Sequence, residues 1–169
     1  MPSVSVSMEL DGGRGCDLPA ARGRPALLLG ALAWAAGIIH AQASAAHLGE
    51  WPLAAVFFGG LAAGQFGLGA LVWARPSRRL LGVVAAASLA IAGLWVLSRT
   101  AGLPFGPEVG HPEAAGFPDV VATLDELLLA GASLAVLARG AKISLSPILL
   151  NLVLITSLAG AMLGGGHSH

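Results

Sequence analysis

The chain has 169 residues, 56% of them apolar and 11% charged, with 9 basic and 9 acidic residues, no tyrosine and a formal net charge of zero; its mean hydropathy is +0.79. A soluble globular chain carries about a quarter charged residues to cover its surface. This balance excludes a basic nucleic-acid binder, a disordered acidic protein and a disulfide-stapled secreted module, and leaves a chain whose solvent is lipid.

Residues 1–24 are rich in Ser, Gly and charge and show no periodic apolar pattern, which reads as a mobile cytoplasmic tail. The tail holds Cys16, the only cysteine, with no nearby metal partner. A bilayer core of about 30 Å takes roughly 20 apolar residues per helix. Five stretches meet that length: Pro25 to Ala46, Pro52 to Ala74, Leu80 to Leu97, Asp119 to Ala138 and Ile143 to Leu163. None alternates polar and apolar residues as a barrel strand does, and in lipid such runs satisfy their backbone groups as helices. The expected fold is an all-α, five-helix membrane bundle over 25–163, with an outer loop at 99–118 and a flexible end at 164–169. A competing layout remains open: basic residues, PALLLGALAWAAGII and the A-x-A steps at Ala41–Ala43 and Ala43–Ala45 also suit a cleavable signal peptide, which leaves four spans.

Lys and Arg set the orientation. Arg14, Arg22 and Arg24 precede the first span, Arg75, Arg78 and Arg79 link spans two and three, and Arg139 and Lys142 link spans four and five. These alternate ends place the N-terminus inside and the C-terminus outside, in a bacterial inner membrane; Arg99, at the outer end of span three, breaks the pattern. Trp51 and Trp73 stand at opposite ends of span two, as interfacial indoles do. Gly60 and Gly64 form a GxxxG step that Ala63 and Gly67 continue, Gly82, Ala86 and Ala90 give span three a similar seam, and Gly160 and Gly164 repeat it. Small residues let helices approach closely, within one bundle or between copies or partners.

Ionisable groups inside a span cost several kcal/mol on insertion scales, roughly 2.5–3.5 each, so each calls for a reason. His40 and His47 are seven residues apart on span one, hence on one face, with Ser44 between them. Span four runs the other way and carries Asp119 and Glu126 at the same spacing, with Thr123 between. If His47 and Asp119 mark the outer interface, His40 and Glu126 lie equally deep, roughly 10 Å in. Two polar stripes of opposite chemistry then face each other. Asp125 points to another side of span four, and Arg99 is the candidate to neutralise Asp125 or Glu126. A shortened span four is the alternative, because Thr123-Leu-Asp-Glu126 matches a capping box that would put both acids in water.

Imidazoles and carboxylates without thiolate suit zinc, iron, manganese or copper(II) as ligands. The same groups suit proton relay. His40, His47, Asp119 and Glu126 are the candidate metal ligands; haem is disfavoured, since two histidines stacked on one helix cannot take both faces of a porphyrin. Gln65 and Asn151, near mid-span, read as interhelical hydrogen-bond formers. The outer loop has four prolines and four glycines, carries Glu108, His111 and Glu113, and is long enough to fold back as a lid. The terminal His167 and His169 form a short His-x-His tail.

The order His40, His47, Glu50-Trp51, Phe57-Phe58-Gly59, Gln65, Trp95-x-x-Ser98-Arg99-Thr100-x-Gly102-Leu103-Pro104-x-Gly106-Pro107, Pro112-Glu113, Asp119 and Glu126 resembles small polytopic membrane proteins of high-GC, actinobacterial-type genomes. The resemblance covers residues 30–140 and implies the topology and the interest of these positions, without a mechanism. Three functions follow as expectations: an outward-facing metal or redox-associated site between spans one and four, a proton- or cation-coupled transporter component, or a structural subunit of a membrane complex. No nucleotide loop, HExxH helix, GxSxG elbow or catalytic cysteine arrangement is present.

Overall fold

The computed structural model describes residues 23–106 and 109–139. They form four α-helices: α1 (Arg24–His47), α2 (Pro52–Ala74), α3 (Arg78–Thr100) and α4 (Phe117–Arg139). The tail with Cys16, Glu108, the fifth expected span at 143–163 with Asn151, and the His-x-His end lie outside the described residues. Each helix has 23 or 24 residues, about 35 Å of rise against a hydrocarbon core of about 30 Å. All four are long and apolar enough to cross a membrane.

Local chemistry explains the helix ends. Pro25 and Pro52 sit in the first turns of α1 and α2, where a missing N–H costs nothing. Ser77 caps α3 by accepting from Leu80 N at 3.2 Å, so this helix starts at Arg78, ahead of the apolar run. At its other end α3 continues to Thr100, which puts Arg99 in the last helical turn instead of the loop. Helix α4 begins at Phe117, well before Thr123, so the Thr123–Glu126 pattern is not a cap and both acids lie inside the helix.

Helix α1 packs along α2, and α3 along α4; α1 and α4 then join the two hairpins. Helices α2 and α3 share only a short turn and meet along little of their length. The surface is inverted relative to a soluble bundle. Leu27, Val56, Val83, Leu124 and Leu134 face outward, while His40, Gln65, Ser88, Asp125, Glu126 and Ser133 are buried. Apolar outside and polar inside is the pattern lipid selects.

The α1–α2 seam is made of glycines under aromatic rings. Trp73 lies across Gly30, Trp34 across Gly69 and Phe66 across Gly37. The two indoles pack at 4.7 Å, and each also donates to a helix carbonyl of the other hairpin arm: Trp34 Nε1 to Phe66 O and Trp73 Nε1 to Leu27 O, both at 3.1 Å. Trp73 is therefore an interhelical clamp as well as a terminal indole. The GxxxG step expected to form the seam does not line it. Among the described residues nothing lies within 4 Å of a Cβ built on Gly60, Gly64 or Gly67, and Ala86 and Ala90 of α3 are exposed too.

The interior has two halves. Leu29, Leu32 and Ala33 of α1 pack with Val72, Leu81, Val84, Leu129 and Val136 in an apolar half on the side of the α2–α3 turn. Toward the α1–α2 turn the filling becomes polar, and the candidate site lies there.

Candidate functional site

His40 and Glu126 are brought to the two ends of one amide. Gln65 of α2, 5% exposed, donates through Nε2 to Glu126 Oε1 of α4. Its carbonyl Oε1 is 2.8 Å from His40 Nδ1 of α1. Because the amide nitrogen is committed to the carboxylate, its oxygen must accept, so the imidazole carries a proton on Nδ1. Three helices are thereby joined through one buried side chain.

Gln65 is a clamp and not a proton wire, since an amide offers no labile proton to hand on. It fixes one atom of each titratable group. Glu126 is fully buried, and its Oε2 has no hydrogen-bond partner among the described residues. The Ser88 hydroxyl of α3 approaches this carboxylate. Ser133 is also fully buried, and its Oγ has no hydrogen-bond partner among the described residues; it continues the Asp119, Glu126 spacing toward the apolar half. Asp125 is 2% exposed, with neither oxygen hydrogen-bonded among the described residues. A buried carboxylate without donors is costly to ionise, so Asp125 and Glu126 are differently equipped to hold charge although adjacent in sequence.

The four expected metal ligands do not converge. Phe58 of α2 stacks on His40 at 5.9 Å and on His47 at 5.5 Å, with interplanar angles of 15° and 14°. Histidines seven apart are separated by roughly 10 Å along a helix, and the phenyl ring fills that gap, so one ion cannot bridge the two imidazoles. Ser44, between them, donates instead to Ala55 O of α2 at 2.7 Å. Asp119 is taken by Arg99, whose Nη2 donates to its Oδ2 at 2.9 Å. Among the described residues no group of three or more His, Cys, Asp or Glu side chains is placed to hold a metal ion.

Arg99 also differs from expectation: it neutralises neither Asp125 nor Glu126. Its guanidinium pairs with Glu113 of the loop as well as with Asp119. Glu113 N donates to Ser98 O at 3.1 Å, and Gly116 N to Asp119 Oδ2 at 2.9 Å. The loop therefore turns back onto the ends of α3 and α4. It also reaches the other hairpin, since Gly106, at φ +110°, lies so close to the Trp51 ring that a Cβ would stand 2.7 Å from it. His111 is exposed on this loop; it contributes its backbone, packed against Gly102, and not its imidazole, to the cap. Arg99→Gln is expected to free this loop, read as faster hydrogen exchange at the Glu113 and Gly116 amides; unchanged exchange would show that the ion pairs do not hold it.

No protein-family model, curated protein or solved structure matches the chain. The site must be read from its own chemistry. Sequence reasoning picked out His40, Gln65 and Glu126 but missed Phe58 as the separator of the histidines, and missed Ser88 and Ser133. Ser133 was within reach, being seven residues beyond Glu126; Ser88 carried no signal, because a serine in an Ala-rich run declares no facing partner.

Proposed function

We propose that this chain is a multi-pass protein of a bacterial inner membrane, N-terminus inside, that serves as a small proton- or cation-coupled transport component, with Glu126 as the ion-accepting group. The observation that carries the reading is the Gln65 clamp. It holds Glu126 by Oε1 and leaves Oε2, in a fully buried position, without a hydrogen-bond partner among the described residues. A purely structural network would satisfy both oxygens, since a half-satisfied buried carboxylate is a net cost. An intramembrane acid with one open oxygen is suited to take up and release a small cation.

Depth and sidedness support the same reading. Glu126 lies below the end of the bundle that Arg99, Glu113 and Asp119 close, and the distribution of Arg and Lys puts that end outside. The metal or redox reading is weaker, because His47 and Asp119 are engaged elsewhere.

The test is ion flux in proteoliposomes containing the full chain, under a potassium-diffusion potential, with an internal pH dye and sodium present. Wild type is expected to change internal pH or sodium content well above empty vesicles, and Glu126→Gln to lose at least tenfold of that rate. Equal flux in wild-type and empty vesicles, or full flux in Glu126→Gln, would refute the reading.

A further inference from the structure

An amide has one donor end and one acceptor end, so Gln65 makes its two buried bonds in one sense at a time. In the structure Nε2 donates to Glu126 Oε1, and the amide oxygen accepts from His40 Nδ1. That sense requires a bare Glu126 Oε1 and a proton on His40 Nδ1. The opposite sense requires the reverse at both ends: a proton on Glu126 Oε1, donated to the amide oxygen, and a bare Nδ1 that accepts from the amide nitrogen. The last torsion of a glutamine is broad and roughly two-fold, so a half-turn exchanges the two ends in place. Phe58, stacked on His40, keeps the plane of the imidazole meanwhile.

We propose that the ion taken up by Glu126 is a proton, and that Gln65 reverses its amide when the proton arrives, exchanging the Nδ1–H tautomer of His40 for the Nε2–H tautomer. The balance is one proton. Glu126 Oε1 gains it from water; the imidazole gives up Nδ1–H and gains Nε2–H by exchange with water, so its own count stays at one. Nothing passes through the amide. Unturned, the amide would set its N–H against the new O–H, donor against donor, and a buried donor left unmet carries its full desolvation penalty. Placed on Oε2, which has no hydrogen-bond partner among the described residues, the proton would be such a donor. The buried titratable groups among the described residues are His40, Asp125 and Glu126; α2 and α3 contribute none. Asp125 does not contest either end of the amide, since neither of its oxygens is hydrogen-bonded among the described residues. Its charge bears on when Glu126 takes up a proton and not on which way the amide turns. His47 lies beyond the Phe58 ring, and Arg99 is paired with Glu113 and Asp119.

This inference rests on the reading of Glu126 as the ion-accepting group and names its ion. The experiment is NMR of the full-length wild-type protein in lipid, labelled with 15N in the histidine rings and 13C in the glutamate carboxyls, as pH is lowered from the alkaline side. His40→Asn and Glu126→Leu serve only to assign the two signals. The Glu126 carboxyl carbon is expected to titrate, and His40 Nδ1 to move from the protonated to the unprotonated range at the same midpoint, with Nε2 moving the opposite way. Asp125→Asn is expected to keep that exchange, and its loss there would overturn the assignment to Glu126. A ring that keeps Nδ1–H throughout, held by the Ala36 carbonyl one turn back, would overturn the inference. So would a ring protonated at both nitrogens in the same step, or a Glu126 that takes up no proton before the chain unfolds. A fixed tautomer beside sodium flux that Glu126→Gln abolishes would sink this inference alone and leave Glu126 as the acceptor of a metal cation. Full flux in Glu126→Gln would sink the underlying reading instead, so the two failures are distinguishable.

Discussion

Gln65→Leu is expected to destabilise the folded chain by about 3 kcal/mol, the upper end of the range for a hydrogen bond to a buried charged group. Leucine fills nearly the same volume, so the loss is one of hydrogen bonds and not of packing. Two groups lose their partner at once: Glu126 Oε1 its donor and His40 Nδ1 its acceptor. With Oε2 without a hydrogen-bond partner among the described residues, the carboxylate would lose the one donor hydrogen-bonded to it there. The magnitude is diagnostic. Neutral interhelical hydrogen bonds in membranes average about 0.6 kcal/mol and reach about 1.7, so a loss in that lower range would mean that Glu126 holds no charge in the folded bundle. The double variant Gln65→Leu, Glu126→Leu should recover the share of the loss owed to Glu126, because removing both members of a buried pair is cheaper than removing one, while His40 Nδ1 still lacks its acceptor. Unfolding of the purified variants by heat or by a denaturing detergent measures both quantities. A double variant no more stable than Gln65→Leu would show that the clamp is not what the substitution broke.

The four described helices were legible because a run of apolar residues of bilayer length has one solution in lipid, and turns with Pro, Gly and Arg separate the runs. Their ends were less so. The apolar run of α3 starts at Leu80, but the Ser77 cap and the polar face of the first turn extend the helix to Arg78. The pairing of His40 with Glu126 followed from equal spacing on antiparallel helices, a matter of rise per residue. What competes for each end of a stripe could not be read in the same way. His47 faces Phe58, and Asp119 faces Arg99; both partners come from other helices, and nothing in the spacing of α1 or α4 announces them. The glycine seam failed for a related reason. Helix α2 has small residues on more than one face, and spacing alone does not choose between them. The choice was made by Trp34 and Phe66, which need a residue without a side chain opposite each ring.

That choice gives the second large expected effect, a contrast of sign between two glycines five residues apart on α2. A Cβ on Gly69 would stand 2.5 Å from Trp34 Cδ1 and 3.0 Å from the Gly30 carbonyl oxygen. Neither neighbour yields easily. Trp34 is held by its bond to Phe66 O and by its contact with Trp73, and the Gly30 oxygen is helix backbone. Gly69→Ala must therefore push α1 and α2 apart, at the roughly 1–3 kcal/mol typical of overpacking, and the same displacement threatens the two indole hydrogen bonds, at about 1 kcal/mol each. Gly64→Ala meets nothing within 4 Å among the described residues and gains the helix propensity of alanine over glycine, up to about 1 kcal/mol. Gly69→Ala should thus lower the unfolding midpoint, and Gly64→Ala should leave it unchanged or raise it. The reverse order would mean that the Gly60–Gly64 face, and not the Trp34–Gly69 contact, holds the fold, and would make that face a covered surface. Gel filtration and cross-linking of Gly64→Ile would then show whether a second copy covers it, since a bulky residue on a dimer seam dissociates the pair and one facing lipid does not.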